Sequence, residues 1–93
     1  MERKVSDELD AKNYQMEIEE YLLTKLEKCS EFEKRVQNEL VEKYGLWTTI
    51  EKAAKIIKRS KSTMYKYKED NLIIYRQNSR IISVYTKSLI FVL

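Results

Sequence analysis

Between Ser6 and Tyr44, apolar residues recur every three or four positions, the spacing that gives an α-helix one apolar stripe. One stripe runs Leu9, Tyr14, Ile18, Tyr21, Leu22, Leu26 and Cys29, and a second runs Phe32, Val36, Leu40 with Val41, and Tyr44. Between them, Ser30-Glu31-Phe32-Glu33 forms a capping box, in which a hydroxyl and a carboxylate each satisfy an exposed backbone amide. The stripes almost join in phase, so the pattern admits one long helix or two shorter ones. Gly45 follows where a helix end favours a residue that tolerates positive φ.

After Gly45 the elements shorten. Thr48-Thr49-Ile50-Glu51 is a second capping box, opening a helix with Ile50, Ala53, Ala54 and Ile57 inward. The two alanines allow another helix to cross closely. Ser60 is the expected N-cap of that next helix, which runs to about Glu69 with Met64 and Tyr67 or Lys68 turned inward or along its edge. Asp70-Asn71 closes it, asparagine taking the left-handed conformation. The β-branched and aromatic runs Leu72–Arg76 and Arg80–Tyr85, joined by Gln77-Asn78-Ser79, predict a β-hairpin. Thr86 is placed to cap a last short helix, whose Leu89, Ile90 and Val92 or Leu93 cover the core. The expected fold is mainly α with a small β-hairpin: a winged helix-turn-helix preceded by one long or two shorter amphipathic helices.

Charge divides the chain at the same place. Residues 1–45 hold 8 Lys/Arg against 12 Asp/Glu, whereas residues 46–93 hold 10 against 3. A small overall charge of +3 thus conceals an acidic helical arm (1–45) and a basic domain (46–93). Such asymmetry points to nucleic acid or membrane as the partner of the basic half. Phosphate would repel the arm, whose apolar face is instead expected to fold back on the basic domain as core, or to dimerise or dock a protein through residues 6–44.

Composition removes several other chemistries. With no histidine and one cysteine there is no ligand set for a zinc site of the usual type, and the commonest general base is missing. No glycine-rich phosphate loop is possible with Gly45 as the only glycine. The acidic residues are spread along helices instead of gathering round a nucleophile, so no enzyme, metal or cofactor is expected. Cys29 reads as a small thiol on the apolar stripe, and a single unpaired cysteine suits a reducing cytosol. The start Met1-Glu2-Arg3-Lys4 leads into acids, unlike a signal peptide, and the apolar run Leu89–Leu93 is too short to span a bilayer. A cytoplasmic protein without membrane contact is the expectation.

Thr49-Ile50-Glu51-Lys52-Ala53-Ala54-Lys55-Ile56-Ile57, then Ser60-Lys61-Ser62-Thr63-Met64-Tyr65-Lys66, then a hairpin containing Arg80-Ile81-Ile82 make residues 46–93 resemble the excisionase-like, MerR-related winged helix-turn-helix domains of phages, plasmids and other mobile elements. The resemblance covers about half of the chain. It departs from the family in the turn, where Lys58-Arg59 replaces glycine and valine, and in the wing, where Gln77-Asn78-Ser79 replaces a glycine-rich loop.

Such a domain implies a small non-catalytic DNA-binding protein, a regulator or excisionase-like factor. Lys61, Ser62, Tyr65 and Lys66 would then face the major groove, with Ser60 and Thr63 capping the helix or bonding phosphate. The helix amino end itself favours an anion. Lys58 and Arg59 in the turn add phosphate contacts, while Arg76 and Arg80 flank the wing turn at Asn78, where guanidinium groups suit a minor groove. Duplex DNA is the favoured partner. Aromatic rings at Tyr65, Tyr67, Tyr75 and Tyr85, interleaved with Lys and Arg, keep open a single-strand-binding subunit partnering a polymerase, primase or helicase; Trp47 reads as core. A purely protein-binding adaptor is the remaining class, since fold alone does not fix function.

Overall fold

The computed structural model describes residues 16–93, so the expected contributions of Leu9 and Tyr14 lie outside the described residues. Helix α1 occupies residues 16–27, and α2 is Glu31–Tyr44. Two helices form because the capping box at Ser30 closes: its hydroxyl accepts the Glu33 amide at 3.2 Å, and its own amide donates to Glu33 Oε1 at 3.1 Å. Gly45 ends α2 at φ +89°, donating its amide to Val41 at 2.7 Å.

Next come β1 (Trp47–Thr49), α3 (Ile50–Ile57), α4 (Lys61–Glu69), β2 (Tyr75–Asn78), β3 (Ile81–Tyr85) and a 3-10 helix (Thr86–Phe91). The sheet is antiparallel, ordered β1-β3-β2. This is a helix-rich, winged-helix-like fold, with the hairpin following two short crossed helices.

Strand β1 has no counterpart in the hydrophobic pattern, and it moves the cap of α3. Thr48 pairs with Val84, buries its side chain and donates its hydroxyl to the Val84 carbonyl at 3.4 Å. With Thr48 held in the sheet, the chain enters the helix one residue later than expected: Thr49 is the N-cap, accepting the Lys52 amide at 3.1 Å. Glu51 is thereby released from the expected capping box.

The main core forms where α3 and α4 cross beneath the sheet. Ile50, Ala53, Ala54 and Ile57 meet Met64, Ile73, Val84 and Leu89, with Leu40, Ile56, Tyr67, Ile82 and Val92 packed around them. Burying each large aliphatic residue contributes about 1.5–3 kcal/mol. A smaller cluster joins Leu22 and Leu26 of α1 to Ile74, flanked by Ile18, Tyr85, Ile90 and Phe91. The arm therefore seals the side of the domain formed by the 3-10 helix and the approach to β2.

Three local expectations change. Residues Leu72 to Ile74 are not strand: the Leu72 amide closes α4 by donating to the Tyr67 carbonyl at 3.0 Å, and the Ile74 amide donates to the Ser88 hydroxyl at 3.0 Å. The hairpin turn is Ser79-Arg80, with Ser79 at φ +59°, because Asn78 already pairs with Ile81. Thr86 does not cap the last helix; Tyr85 occupies that position without a side-chain bond, and Thr86 is fully buried.

The outer stripes of the arm also differ from expectation. Phe32 is 70% exposed and Tyr21 63%, whereas Gln37 is buried. An i, i+4 series drifts round a helix, so Phe32 lies roughly 80° from Leu40. Cys29 is half-buried, its thiol donating to the Lys25 carbonyl at 3.4 Å.

Candidate nucleic-acid interface

Ser60 organises the amino end of α4. Its hydroxyl accepts the Thr63 amide at 3.1 Å and lies 2.9 Å from the Thr63 hydroxyl, so both side chains are engaged in the cap. Lys61, Ser62, Tyr65 and Lys66 project from the exposed side of this helix, while Met64 is fully buried and fixes the helix against α3. The amino end thus presents backbone donors, hydroxyls and Lys61 together, and Lys66 lies in the last turn.

The preceding turn adds two exposed cations. Lys58 adopts a left-handed conformation at φ +58° and donates its amide to the carbonyls of Ala54 and Lys55; the Arg59 amide donates to Ala54 at 3.0 Å. The turn thus has left-handed geometry at a lysine.

Across from Tyr65 stands the turn end of the wing. A groove of about 230 Å³ is lined by Thr49, Ile50, Glu51, Tyr65, Arg80, Ile81 and Ile82. Arg80 lies in the two-residue turn, and Asn78, the last residue of β2, is exposed opposite Ile81. Strand β1 pairs with β3 only from Ser83 to Tyr85, so the start of β3, paired there with β2 alone, extends past β1 and borders the groove with Tyr65.

Glu51, which lines this groove, accepts Lys61: Nζ lies 2.9 Å from Oε1, both side chains being more than half exposed. The hydrogen bond from Lys61, followed by the backbone bond and charge attraction, holds the Glu51 carboxyl below its ordinary range. The same bond raises the Lys61 ammonium above its own. Glu51 therefore offsets part of the positive field that α4 offers to an anion.

Arg76 is placed elsewhere. It does not flank the turn but sits within β2, opposite Ser83, with its guanidinium 3.0 Å from Glu19 of α1 and 5.5 Å from the centre of the Trp47 ring. Register puts Arg76 on the face shared by Trp47 and Tyr85, where the acidic arm lies. Its guanidinium is thus engaged by the arm, while Arg80 lies in the turn and lines the groove.

Most aromatic side chains are occupied by the fold. Trp47 packs edge-on against Tyr85 at 5.1 Å and is 37% exposed, making it a half-open sheet residue instead of the expected core. Tyr67 packs on the main core, Tyr85 on the arm cluster, and Lys68 covers the Tyr75 ring at 4.9 Å. Tyr65, 39% exposed, is the ring that borders the groove.

Thr49, Glu51 and Ile81 also line the groove, and none of them is among the contact residues expected from the sequence. Glu51 carried a signal in its position one helix before Lys61, but its reach across the turn depends on how α3 and α4 cross. Among the described residues, no group of three His, Cys, Asp or Glu side chains is placed to hold a metal ion, and no helix is long and apolar enough to cross a membrane. Comparison of the chain with family models, curated proteins and solved structures finds no match.

Proposed function

We propose that this is a small non-catalytic DNA-binding protein that grips duplex DNA between the amino end of α4 and the tip of the wing. The observation that carries the reading is the groove shared by Tyr65 of α4 and Arg80 of the wing, with Ser60 and Lys61 at the amino end of the same helix and Lys66 exposed next to Tyr65. Helix amides and lysines favour a phosphate run, and an exposed α4 suits a major groove. Lys58, Arg59, Ser62, Thr63 and Asn78 extend the contact surface on either side. The resemblance of residues 46–93 to excisionase-like domains adds a regulatory or excision-type role in a mobile element. The arm, with Tyr21 and Phe32 exposed, supplies protein contacts.

Duplex is preferred to single strand because the rings that would stack on unpaired bases are largely engaged within the fold. Matched duplex and single-stranded oligonucleotides, titrated with the protein across salt concentrations, test this. If Lys58, Arg59, Lys61, Lys66 and Arg80 each neutralise a phosphate, log K against log salt falls with a slope of about −4 to −5 on duplex. Tighter binding to the single strand, or affinity insensitive to salt, would sink the proposal.

A further inference from the structure

Ile81 is the first residue of β3, follows the Ser79-Arg80 turn, and leaves 70% of its surface exposed. Its neighbours along the wing, from Arg76 through Arg80, are all polar. Strand alternation turns Ile82 toward the core and Ile81 to the opposite face, where a polar side chain would fit the register equally well. The fold itself gives no reason for a large aliphatic group there.

The support beneath it is rigid. β3 is the central strand, and Ile82 and Val84 anchor it in the main core. A β-branched side chain has few χ1 rotamers, so holding it against a partner costs little entropy. Arg80 immediately precedes it, and residues 71–93 contain Arg76, Arg80 and Lys87 but no acidic side chain. Ile81 also lines the groove that Tyr65 borders.

We infer that Ile81 is a wedge that enters a base step of duplex DNA from the minor groove and kinks it while Arg80 holds the adjoining phosphates. The inference rests on the duplex-binding reading above. Aliphatic side chains beside arginine act in this way on minor grooves, unstacking one step and bending the helix. Pyrimidine–purine steps such as TA open most easily, so they are the steps this wedge selects.

Bending is read by energy transfer between dyes at the two ends of a duplex with a central TA step, and binding by gel shift on the same duplex. The wild-type protein is expected to bend it by an angle within roughly 20–90°. Ile81→Ala should still shift the duplex but lose the bend, and Ile81→Leu should restore it. Thermal melting of each variant checks that the hairpin has folded. If the wild type binds without bending, or Ile81→Ala bends equally, the wedge is overturned while duplex binding stands. If Ile81→Ala instead converts a dimer to a monomer with the bend unchanged, Ile81 is a contact between copies and the wedge is again overturned. Failure of the wild type to bind any duplex overturns both proposals.

Discussion

Glu51 and Lys61 form an ion pair more than half open to water, so its weight lies in the local field more than in stability. Because Glu51 titrates below its ordinary value, its contribution is complete above that ordinary value and disappears only as pH falls through the depressed one. Lys61 is raised, so its contribution is complete below its ordinary value and disappears as pH climbs through the raised one. Between these limits the pair is intact, and neutral pH changes leave it alone. Glu51→Gln should free Lys61 for phosphate and tighten duplex binding by up to about fivefold at low salt. Acidification through the Glu51 range should enhance wild-type binding, and this enhancement should be missing from the variant. Unchanged affinity in gel shifts of Glu51→Gln would show that Lys61 does not meet DNA.

At the scale of the elements, the turn between α3 and α4 combines a backbone demand with a charge. Lys58 occupies the left-handed region, which costs a non-glycine residue roughly 1–2 kcal/mol. Glycine relieves this but adds about 0.4–1 kcal/mol of unfolded-chain freedom. Lys58→Gly should therefore stabilise the protein by about 0.5–1 kcal/mol in denaturant melts while weakening DNA binding through loss of a cation. Destabilisation would mean that the lysine stem makes packing contacts that offset its strained backbone.

Helices α2, α3 and α4 were legible because each begins with a local hydroxyl cap and carries its apolar residues at helical spacing. Ser60 needed only Thr63 to be recognised, and Ile50, Ala53, Ala54 and Ile57 share one face. β1 was not legible: three residues beginning with Trp47 carry no period, and their partner Ser83–Tyr85 lies more than thirty residues away. Arg76 and Arg80 looked equivalent beside the turn, yet a turn shifted to Ser79-Arg80 leaves one at the tip and the other facing Glu19. A one-residue change of register decides which face a strand residue takes, and sequence spacing alone does not set it.

For the molecule as a whole, the division of charge does not produce two independent halves. Leu22 and Leu26 of the acidic arm are buried against Ile74 of the basic half, with Phe91 and Ile90 alongside. Removing such a leucine costs about 2–5 kcal/mol. Leu26→Ala should lower the single unfolding midpoint of the protein and bring the wing and 3-10 helix down with it, as followed by amide exchange at Ile74 and Leu89. Loss of protection confined to α1 would instead show that the arm detaches without disturbing the domain. The same packing keeps the arm beside Arg76, while the groove between Tyr65 and Arg80 is lined by residues of the basic half.

The third strand also imposes an order on assembly. Thr48 is sealed by the carbonyl of Val84, 36 residues further on, and β1 pairs with no strand other than β3 among the described residues. The crossing of α3 and α4 can form from neighbouring sequence, but closing so long a loop is slow and comes after local contacts. During synthesis the segment that leads into the helix-turn-helix consequently waits unpaired until Tyr85 has been made, so a chain interrupted within the wing carries both lysine-rich helices yet lacks the clasp that sets their entry.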